Sequence, residues 1–131
     1  MVWLVDTSVA ILLRDAKTEA DSRLRELSAI PALSVVSQVE LEGGVMVNPA
    51  LAAARRAALD LLLATLPVLP FDGECLAAYR RIVETAGFSP RKIIDRMIAA
   101  TALAHGLTLI TLNGRDFSDI PGLGLEIWPP P

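Results

Sequence analysis

Residues 2–8 of the chain read Val2-Trp3-Leu4-Val5-Asp6-Thr7-Ser8, and this stretch decides the fold. Its unbroken apolar run predicts a strand that is buried on both faces. Asp6 ends the run, and a helix is predicted from Thr7 to about Leu13. A strand without polar alternation that leads at once into a helix is typical of a parallel sheet covered by helices on both sides.

The same alternation of strands and helices continues along the chain. Further strands are predicted at Leu33-Ser34-Val35-Val36, Val68-Leu69, Thr108 to Thr111 and Leu125 to Ile127. Helices are predicted from Thr18 to Ala29, from a capping box at Ser37-Gln38-Val39-Glu40, from Pro49 to just before Pro67, from Asp72 to near Gly87, and from Ser89-Pro90 to His105, with a single turn from Asn113 to Phe117. These elements predict an α/β fold with a short central parallel sheet, whose ligand site lies beyond the carboxyl ends of the strands.

Length and composition limit the class of protein. A chain of 131 residues, 53% of them hydrophobic, fits a single domain spanning residues 1–131 with a core of its own. The only cysteine, Cys75, cannot form an intrachain disulfide and suits a reducing compartment. Apolar runs such as 57–66 are interrupted by Asp60 and are too short to span a bilayer. Because no signal-peptide pattern opens the chain, we expect a soluble cytoplasmic protein without membrane contact.

The net charge of −3 does not by itself favour a nucleic-acid-binding protein, which usually carries a basic surplus. A metal ion at an acidic site would restore positive charge locally. Clusters of basic residues that could contact a nucleic-acid backbone are Arg14 with Lys17, Arg55 with Arg56, Arg80 with Arg81, and Arg91 with Lys92 and Arg96. The apolar excess indicates surface that a partner chain covers, and its members include Leu12, Leu13, Leu61, Leu62 and Leu63.

Three acidic residues closely follow predicted strands. Asp6 comes directly after the first strand, Glu40 one turn after the second, and Asp116 one turn after the fourth. All three are therefore expected at the carboxyl edge of one sheet. Taken singly, each is explained more simply by helix capping. Asp6 would cap the next helix, Glu40 would complete the box opened by Ser37, and Asp116 stands at the same spacing from Asn113.

Asp95 does not fit that explanation. The core-facing stripe of its helix, at positions i+3, i+4, i+7 and i+8, consists of Ile98, Ala99, Ala102 and Leu103. An acidic side chain at the head of such a stripe is costly unless it is paired, bound to a metal or at the rim of a cleft. Arg96 is the nearest candidate partner, but adjacent helix positions point in different directions. The sequence therefore favours a functional role for Asp95.

Carboxylates that converge on one edge of a sheet repel one another. Two of them about 4 Å apart repel by roughly 4 kcal/mol at an effective dielectric constant near 20. A domain of this size has only about 5–15 kcal/mol of stability in total. Convergence therefore calls for a cation, a shared proton or access to solvent. Oxygen ligands suit Mg²⁺ or Mn²⁺ rather than zinc, and such a metal activates water and stabilises charge on a phosphate.

The acids lie in four short motifs. These are Val5-Asp6-Thr7-Ser8, Glu40-Leu41 with Gly43-Gly44, Ile94-Asp95-Arg96-Met97-Ile98-Ala99-Ala100, and Thr111-Leu112-Asn113-Gly114-Arg115-Asp116-Phe117. They span nearly the whole chain, and in this order they resemble the four acidic motifs of the PIN-domain family. The short chain and the last two motifs look most like the VapC-type toxins of bacterial toxin–antitoxin pairs.

The resemblance implies a three-layer α/β/α fold and a Mg²⁺-dependent endoribonuclease, with Mn²⁺ as an alternative metal. It also implies a homodimer that is silenced by a small antitoxin protein. The implied catalytic and metal-binding residues are Asp6, Glu40, Asp95 and Asp116, supported by Thr7, Ser8, Thr111 and Asn113. RNA contacts are expected from Arg91, Lys92, Arg96 and Arg115.

The resemblance leaves the number of metal ions open. Where some PIN domains carry a further aspartate, this chain has Asn113, so one or two ions fit the motifs. Asp119 and Glu42 are nearby acids that rank below the four motif acids.

Two other functions fit parts of the sequence. The absent fifth acid and the negative net charge are compatible with a PIN-like module that binds RNA or a partner chain without cutting. Asp6 is also compatible with a phosphatase or phosphoacceptor, although no second aspartate follows two residues later and no lysine follows the strand at 108–111. A paired-histidine ribonuclease is excluded because His105 is the only histidine, and we expect it to interact with a helix dipole.

Overall fold

The computed structural model describes residues 2–131, in which strands and helices alternate as predicted. The strands are β1 (Trp3–Val5), β2 (Ala32–Ser34), β3 (Val68–Leu69), β4 (Thr108–Thr111) and β5 (Leu125–Ile127). The α-helices are α1 (Thr7–Arg14), α2 (Thr18–Glu26), α3 (Val35–Met46), α4 (Ala52–Thr65), α5 (Gly73–Ala86) and α6 (Ile93–His105). Three short 3₁₀ turns lie at Pro49–Leu51, Pro90–Lys92 and Gly114–Phe117.

The strands form one parallel sheet in the order β3-β2-β1-β4-β5. From β1 the chain moves outwards through β2 and β3, and it then crosses to β4 and β5 on the other side. The change of direction lies between β1 and β4, where Val5 pairs with Ile110. Ligands of parallel α/β sheets bind in the crevice at the carboxyl ends of the strands beside such a switch point. Asp6 and Thr111 occupy that position.

Helices cover both faces of the sheet, which confirms the predicted three layers. Neighbouring residues of β1 contribute to different cores, because Leu4 packs with side chains of α5 and α6 while Val5 packs with side chains of α1, α3 and α4. Both side chains are fully buried. Burial of a side chain of this size contributes roughly 1.5–3 kcal/mol. The unbroken apolar run of β1 therefore reflects a central strand that is covered on both faces.

The second strand and the helix after it begin earlier than predicted. The strand ends at Ser34 rather than Val36, and α3 starts at Val35. The reason is that the Ser34 side chain accepts a hydrogen bond from the Val36 backbone N–H at 3.1 Å, which caps the helix and outweighs the strand preference of two valines. The prediction that Ser37 opens a capping box is wrong, and Glu40 lies in the second turn of α3.

The other helix boundaries differ from prediction only at their ends. Helix α2 ends at Glu26 rather than Ala29, because Leu27 adopts an extended backbone conformation. The helices predicted to begin at Pro49 and Ser89-Pro90 each open with a 3₁₀ turn before the α-helix proper.

None of the helices within residues 2–131 has both the length and the apolar character that crossing a bilayer requires. The longest of them, α4 and α5, have 14 residues each.

Candidate metal-binding site

Asp6 is buried at the carboxyl end of β1, and both of its carboxylate oxygens accept hydrogen bonds. Oδ1 accepts from the Val9 backbone N–H at 3.0 Å and from the Ser8 hydroxyl at 2.5 Å. Oδ2 accepts from the hydroxyl of Thr111, at the end of the neighbouring strand β4. The predicted capping of α1 by Asp6 is confirmed, and the same carboxylate ties the ends of the two central strands together.

The polar groups of the first and last motifs form one hydrogen-bonded network around Asp6. Thr111 is fully buried, and besides donating to Asp6 its hydroxyl accepts from the Asn113 backbone N–H at 3.0 Å. The Ser8 hydroxyl accepts from the backbone N–H of Leu112 at 3.3 Å. Two of the predicted supporting residues, Ser8 and Thr111, therefore fix the Asp6 carboxylate and the backbone beyond β4. The Asn113 side chain is exposed and does not cap the turn that follows it.

Glu40 projects from the second turn of α3 and is held by α1. Its Oε1 accepts a hydrogen bond from the Thr7 hydroxyl at 2.5 Å, and the Thr7 oxygen lies 2.9 Å from that of Ser37. Because Ser34 and not Ser37 caps α3, helix capping does not explain Glu40. Thr7 follows Asp6 directly, so the first motif positions both Asp6 and Glu40.

Asp95 lies in the first turn of α6, where the charges of the other three acids act on its carboxylate. The pKa of Asp95 is raised to about 6, mainly by burial and then by the negative charges of Asp116, Asp6 and Glu40. Acidic residues at a helix start ordinarily gain from the helix dipole, so here desolvation and like charge outweigh the dipole. We refer to Asp6, Glu40, Asp95 and Asp116 as the acidic cluster.

Asp116 is the exposed member of the acidic cluster. It lies in the 3₁₀ turn at Gly114–Phe117, and its backbone N–H donates to the Asn113 carbonyl at 3.1 Å. The predicted capping relation between the Asn113 side chain and this turn is absent among the described residues. Capping therefore does not account for an acid at this position.

The donor set of the acidic cluster suits a hard divalent cation, since it consists of carboxylate oxygens with hydroxyl groups behind them. Within residues 2–131 no three Asp, Glu, His or Cys side chains are already arranged to hold a metal ion. The side chains nonetheless lie close enough for three of the acids to raise the pKa of the fourth. A cation would remove that repulsion, and the all-oxygen donor set is of the kind that a hard divalent cation takes.

Comparisons with known proteins agree with this geometry. A family model described as PIN domain matches residues 3–123. The chain belongs to the PIN-domain family. Ribonuclease VapC2 of Rickettsia felis is 29% identical to it, with 98% of each chain covered. VapC ribonuclease Y4jK of Sinorhizobium fredii is 34% identical, with 99% of this chain and 84% of the relative covered. These relatives confirm the resemblance to VapC-type proteins.

Solved structures support the same assignment for the fold of this PIN domain. The crystal structure of VapBC2 from Rickettsia felis bound to a promoter DNA fragment matches with a TM-score of 0.86 at 27% identity, covering 98% of this chain and 99% of that one. The structure of DNA-bound VapBC from Salmonella typhimurium matches with a TM-score of 0.85 at 25% identity, covering 98% of both chains. The predicted PIN-like α/β/α architecture is confirmed.

Arg96, which was predicted to contact RNA, is instead buried inside the PIN domain. Its guanidinium donates through Nη1 to the Gly87 carbonyl at 2.5 Å and through Nη2 to Asp119 Oδ2 at 3.2 Å. Only 2% of the residue is exposed. Arg96 is therefore not available to contact RNA, and its role is structural. Its partners also show that it does not neutralise Asp95.

The two cations that bond to Asp119 give a matched test of this structural role. We expect Arg96→Met to lower the free energy of unfolding by about 2–4 kcal/mol, because buried hydrogen bonds to a charged group are lost. Lys92→Met removes a half-exposed ion pair with the same Asp119 oxygen and should cost less than about 1 kcal/mol. Chemical denaturation measures both values. Equal losses for the two variants would contradict the structural assignment.

The lower-ranked acids are engaged outside the acidic cluster. Hydrogen bonds from Lys92 and then Arg96 lower the pKa of Asp119. Glu42 accepts from Arg56 at 2.5 Å and 3.2 Å, and this bond lowers the pKa of Glu42. Neither side chain needs a metal ion to balance its charge, which supports ranking both below the four motif acids.

Most of the other predicted basic clusters are also committed to contacts within the fold. Arg14 is buried and pairs with Asp15, Arg55 donates to the Gly44 carbonyl, and Arg56 bridges Glu42 and Asp60. By contrast, Arg91 and Arg115 are exposed and form no ion pair within the part of the chain that the structure describes. Arg91 lies in the short turn that leads into the third motif, and Arg115 lies in the turn that ends the fourth.

One polar residue of this region, Ser37, was interpreted only as a helix cap. Its side chain is fully buried. Its hydroxyl oxygen lies 2.9 Å from that of Thr7, the residue that donates a hydrogen bond to Glu40. The signal that could have identified it is Ser34, which is the better cap because it is the last residue of the buried strand. Once Ser34 is the cap, Ser37 and Glu40 lie one turn apart on the same side of α3.

Proposed function

We propose that this PIN domain is a Mg²⁺-dependent endoribonuclease and the toxin of a toxin–antitoxin pair. The observation that carries the proposal is the placement of Asp6 beside the switch point of the sheet, in a hydrogen-bonded network with Thr111, with the negative charges of Asp116, Asp6 and Glu40 all acting on Asp95. The relatives named ribonucleases cover nearly the whole chain, which supports the same activity here. PIN-domain ribonucleases are in general metal-dependent, and the all-oxygen donor set favours Mg²⁺, with Mn²⁺ as the alternative.

Four residues would bind the ion, and three others orient two of the four carboxylates. Asp6, Glu40, Asp95 and Asp116 would hold the ion. Ser8 and Thr111 fix the rotation of the Asp6 carboxylate, and Thr7 fixes that of Glu40 through one of its two oxygens. When bound, a divalent cation supplies activation of water and neutralisation of charge on the phosphate.

RNA would approach across the exposed basic residues beside the acidic cluster. Arg91 and Lys92 form the turn that leads into the helix of Asp95, and Arg115 precedes Asp116. Their positive charge offsets the acidic character of the chain where a phosphate backbone must pass. Arg91 and Arg115 are not occupied by ion pairs in the described residues, so we propose them as the main phosphate contacts, with Lys92 secondary.

Partner binding follows from the exposed apolar surface and from the matched structures, which contain VapBC assemblies. We propose that the chain binds a small antitoxin protein and forms a homodimer. Of the leucines singled out in the sequence, Leu62 is buried and Leu12, Leu13 and Leu63 pack against the core, whereas Leu61 is 72% exposed. A cytoplasmic location is part of this proposal and is supported by the buried free thiol of Cys75.

Cleavage mapping on purified protein freed of any antitoxin tests the function. We expect discrete new ends in total cellular RNA with Mg²⁺, and none with a chelator or with the Asp116→Asn variant. Asp60→Asn is the matched control, because it removes the same charge from an exposed acid on α4. RNA binding without cleavage by folded protein would favour the alternative of a non-catalytic binding module. A covalent acyl-phosphate on Asp6 would favour the phosphatase.

A further inference from the structure

Ser37 is a buried polar residue next to the acidic cluster, and helix capping does not account for it. Its side chain is fully buried, whereas a hydroxyl without a partner is costly in the interior of a protein. A serine inside a helix often bonds to the carbonyl four residues earlier, but within residues 2–131 the Ser37 hydroxyl bonds only to Thr7. Among the described residues, the Ser37 hydroxyl therefore bonds only to the residue that holds Glu40.

Counting protons fixes the direction of the hydrogen bonds. Thr7 has one hydroxyl hydrogen, and it donates this hydrogen to Glu40 Oε1 at 2.5 Å. The remaining 2.9 Å contact must be donated by Ser37 to the Thr7 oxygen. The result is a chain of bonds from Ser37 to Thr7 to Glu40, in which each bond polarises the next.

We propose that Ser37 is a positioning residue for the metal-dependent reaction, acting through Thr7 on the Glu40 carboxylate. The inference rests on the proposed function, because Glu40 is oriented for an ion. The Ser37 donor holds the Thr7 hydroxyl with its hydrogen directed at Glu40 Oε1, which leaves Oε2 for a ligand. Without that donor Thr7 can rotate away, and Glu40, which is exposed, loses its fixed orientation.

Divalent-cation binding measured by calorimetry, with Mn²⁺ as the probe, tests the role independently of cleavage. We expect Ser37→Ala to weaken Mn²⁺ binding about 10-fold, within the range for residues that orient metal ligands. In cleavage assays kcat should fall at subsaturating metal while the KM for RNA stays unchanged. Ser37→Thr keeps the hydroxyl and should restore binding. Ser37→Cys, with a similar volume and a weak donor, should fall between the two and serves if threonine does not fit.

Ser34→Ala is the matched control. Ser34 is equally buried in the same region of α3, but its hydroxyl caps the helix and does not touch the acidic cluster. We expect this variant to lose thermal stability while its Mn²⁺ affinity stays at the wild-type value. A general loosening of α3 would instead weaken binding in both variants, and that result would overturn the specific role of Ser37.

A double-mutant cycle with Thr7→Val decides whether Ser37 acts through Thr7. The double variant should bind Mn²⁺ no more weakly than Thr7→Val alone, because the second change removes a link that is already broken. Wild-type affinity in a folded Ser37→Ala protein, or effects that add, would overturn the inference while leaving the nuclease intact. Wild-type protein that neither binds Mn²⁺ nor cleaves RNA would overturn the proposed function, and the inference with it.

Discussion

Replacing Asp95 by asparagine is expected to abolish RNA cleavage and, in the metal-free protein, to increase stability. Changes to groups that merely orient metal ligands cost about 10–100-fold, so loss of a ligand should reduce kcat by more than about 100-fold. The gain in stability follows from the raised pKa of Asp95, since the charged form is opposed by burial and by three other acids. An uncharged amide of the same shape removes that opposition.

The difference in stability between the wild type and Asp95→Asn depends on pH. The pKa of Asp95 is about 6 in the folded chain and 3.8 for an unperturbed aspartate, so between these values the folded state binds more protons than the unfolded state. The contribution of Asp95 to wild-type stability therefore falls as the pH rises from about 4 to about 6. Asp95→Asn lacks this loss and should be more stable by about 1–2 kcal/mol above pH 6, a value reduced for solvent screening of a half-buried group.

Denaturation with chelator at several pH values measures this difference. The two proteins should have equal stability near pH 4 and should diverge as the pH rises. Addition of Mg²⁺ should then stabilise the wild type and leave Asp95→Asn unchanged. A variant that is less stable than the wild type above pH 6 would show that Asp95 has a structural partner instead of facing like charges.

Asp6→Ala is expected to cost both cleavage and stability, unlike the same change at Asp116. Removal of the Asp6 carboxylate takes away the cap of α1, worth about 1 kcal/mol. It also leaves the buried Thr111 hydroxyl without its acceptor, at about 1–3 kcal/mol for an unsatisfied group, and the partly buried Ser8 hydroxyl loses the same acceptor. Relief of repulsion with Asp95 offsets part of this loss. We expect a net decrease of about 2–4 kcal/mol in the free energy of unfolding.

Asp116→Ala provides the comparison, because Asp116 is exposed and, among residues 2–131, forms hydrogen bonds only through its backbone. Its stability should lie within about 0.5 kcal/mol of the wild type, with cleavage lost to the same extent as in Asp6→Ala. Thermal or chemical unfolding together with the cleavage assay separates the two. Equal destabilisation of the two variants would contradict this expectation, because it would mean that the hydrogen bonds of the Asp6 carboxylate contribute nothing to stability.

The order of elements and the sheet edge at which Asp6 lies could be predicted because each depends on local pattern. Apolar runs without alternation identify strands that are covered on both faces, as Leu4 and Val5 show by packing into separate cores. Once the sheet is parallel, residues that follow its strands must meet at one edge. Asp95 stood out because an acid heading an apolar stripe has no structural explanation.

The exact start of α3 could not be predicted because two local signals compete there. Val35 and Val36 favour a strand, whereas Ser34 favours a cap, and the tertiary setting decides in favour of the cap. If the helix is taken to start at Ser37, that residue becomes the cap, and its contact with Thr7 is not expected. A shift of a few residues at a boundary was enough to misassign a buried side chain.

The environment of Arg96 could not be predicted because it depends on distant segments. Gly87 precedes the helix and Asp119 follows the last motif, and only the folded chain brings both to the guanidinium. Nothing in the local sequence separates Arg96 from the exposed Arg91. Burial of a charged side chain is a tertiary property, and so a basic cluster in sequence is not a basic surface in space.

We propose that Asp6, Glu40, Asp95 and Asp116 together hold a divalent cation. Anomalous scattering from Mn²⁺ in crystals of the purified protein tests it most directly. We predict an anomalous peak at the carboxyl ends of β1 and β4, bonded to carboxylate oxygens of the acidic cluster and absent from crystals of Asp95→Asn. Well-ordered crystals grown with Mn²⁺ that show no peak there, or a peak bonded to other residues, would contradict the account.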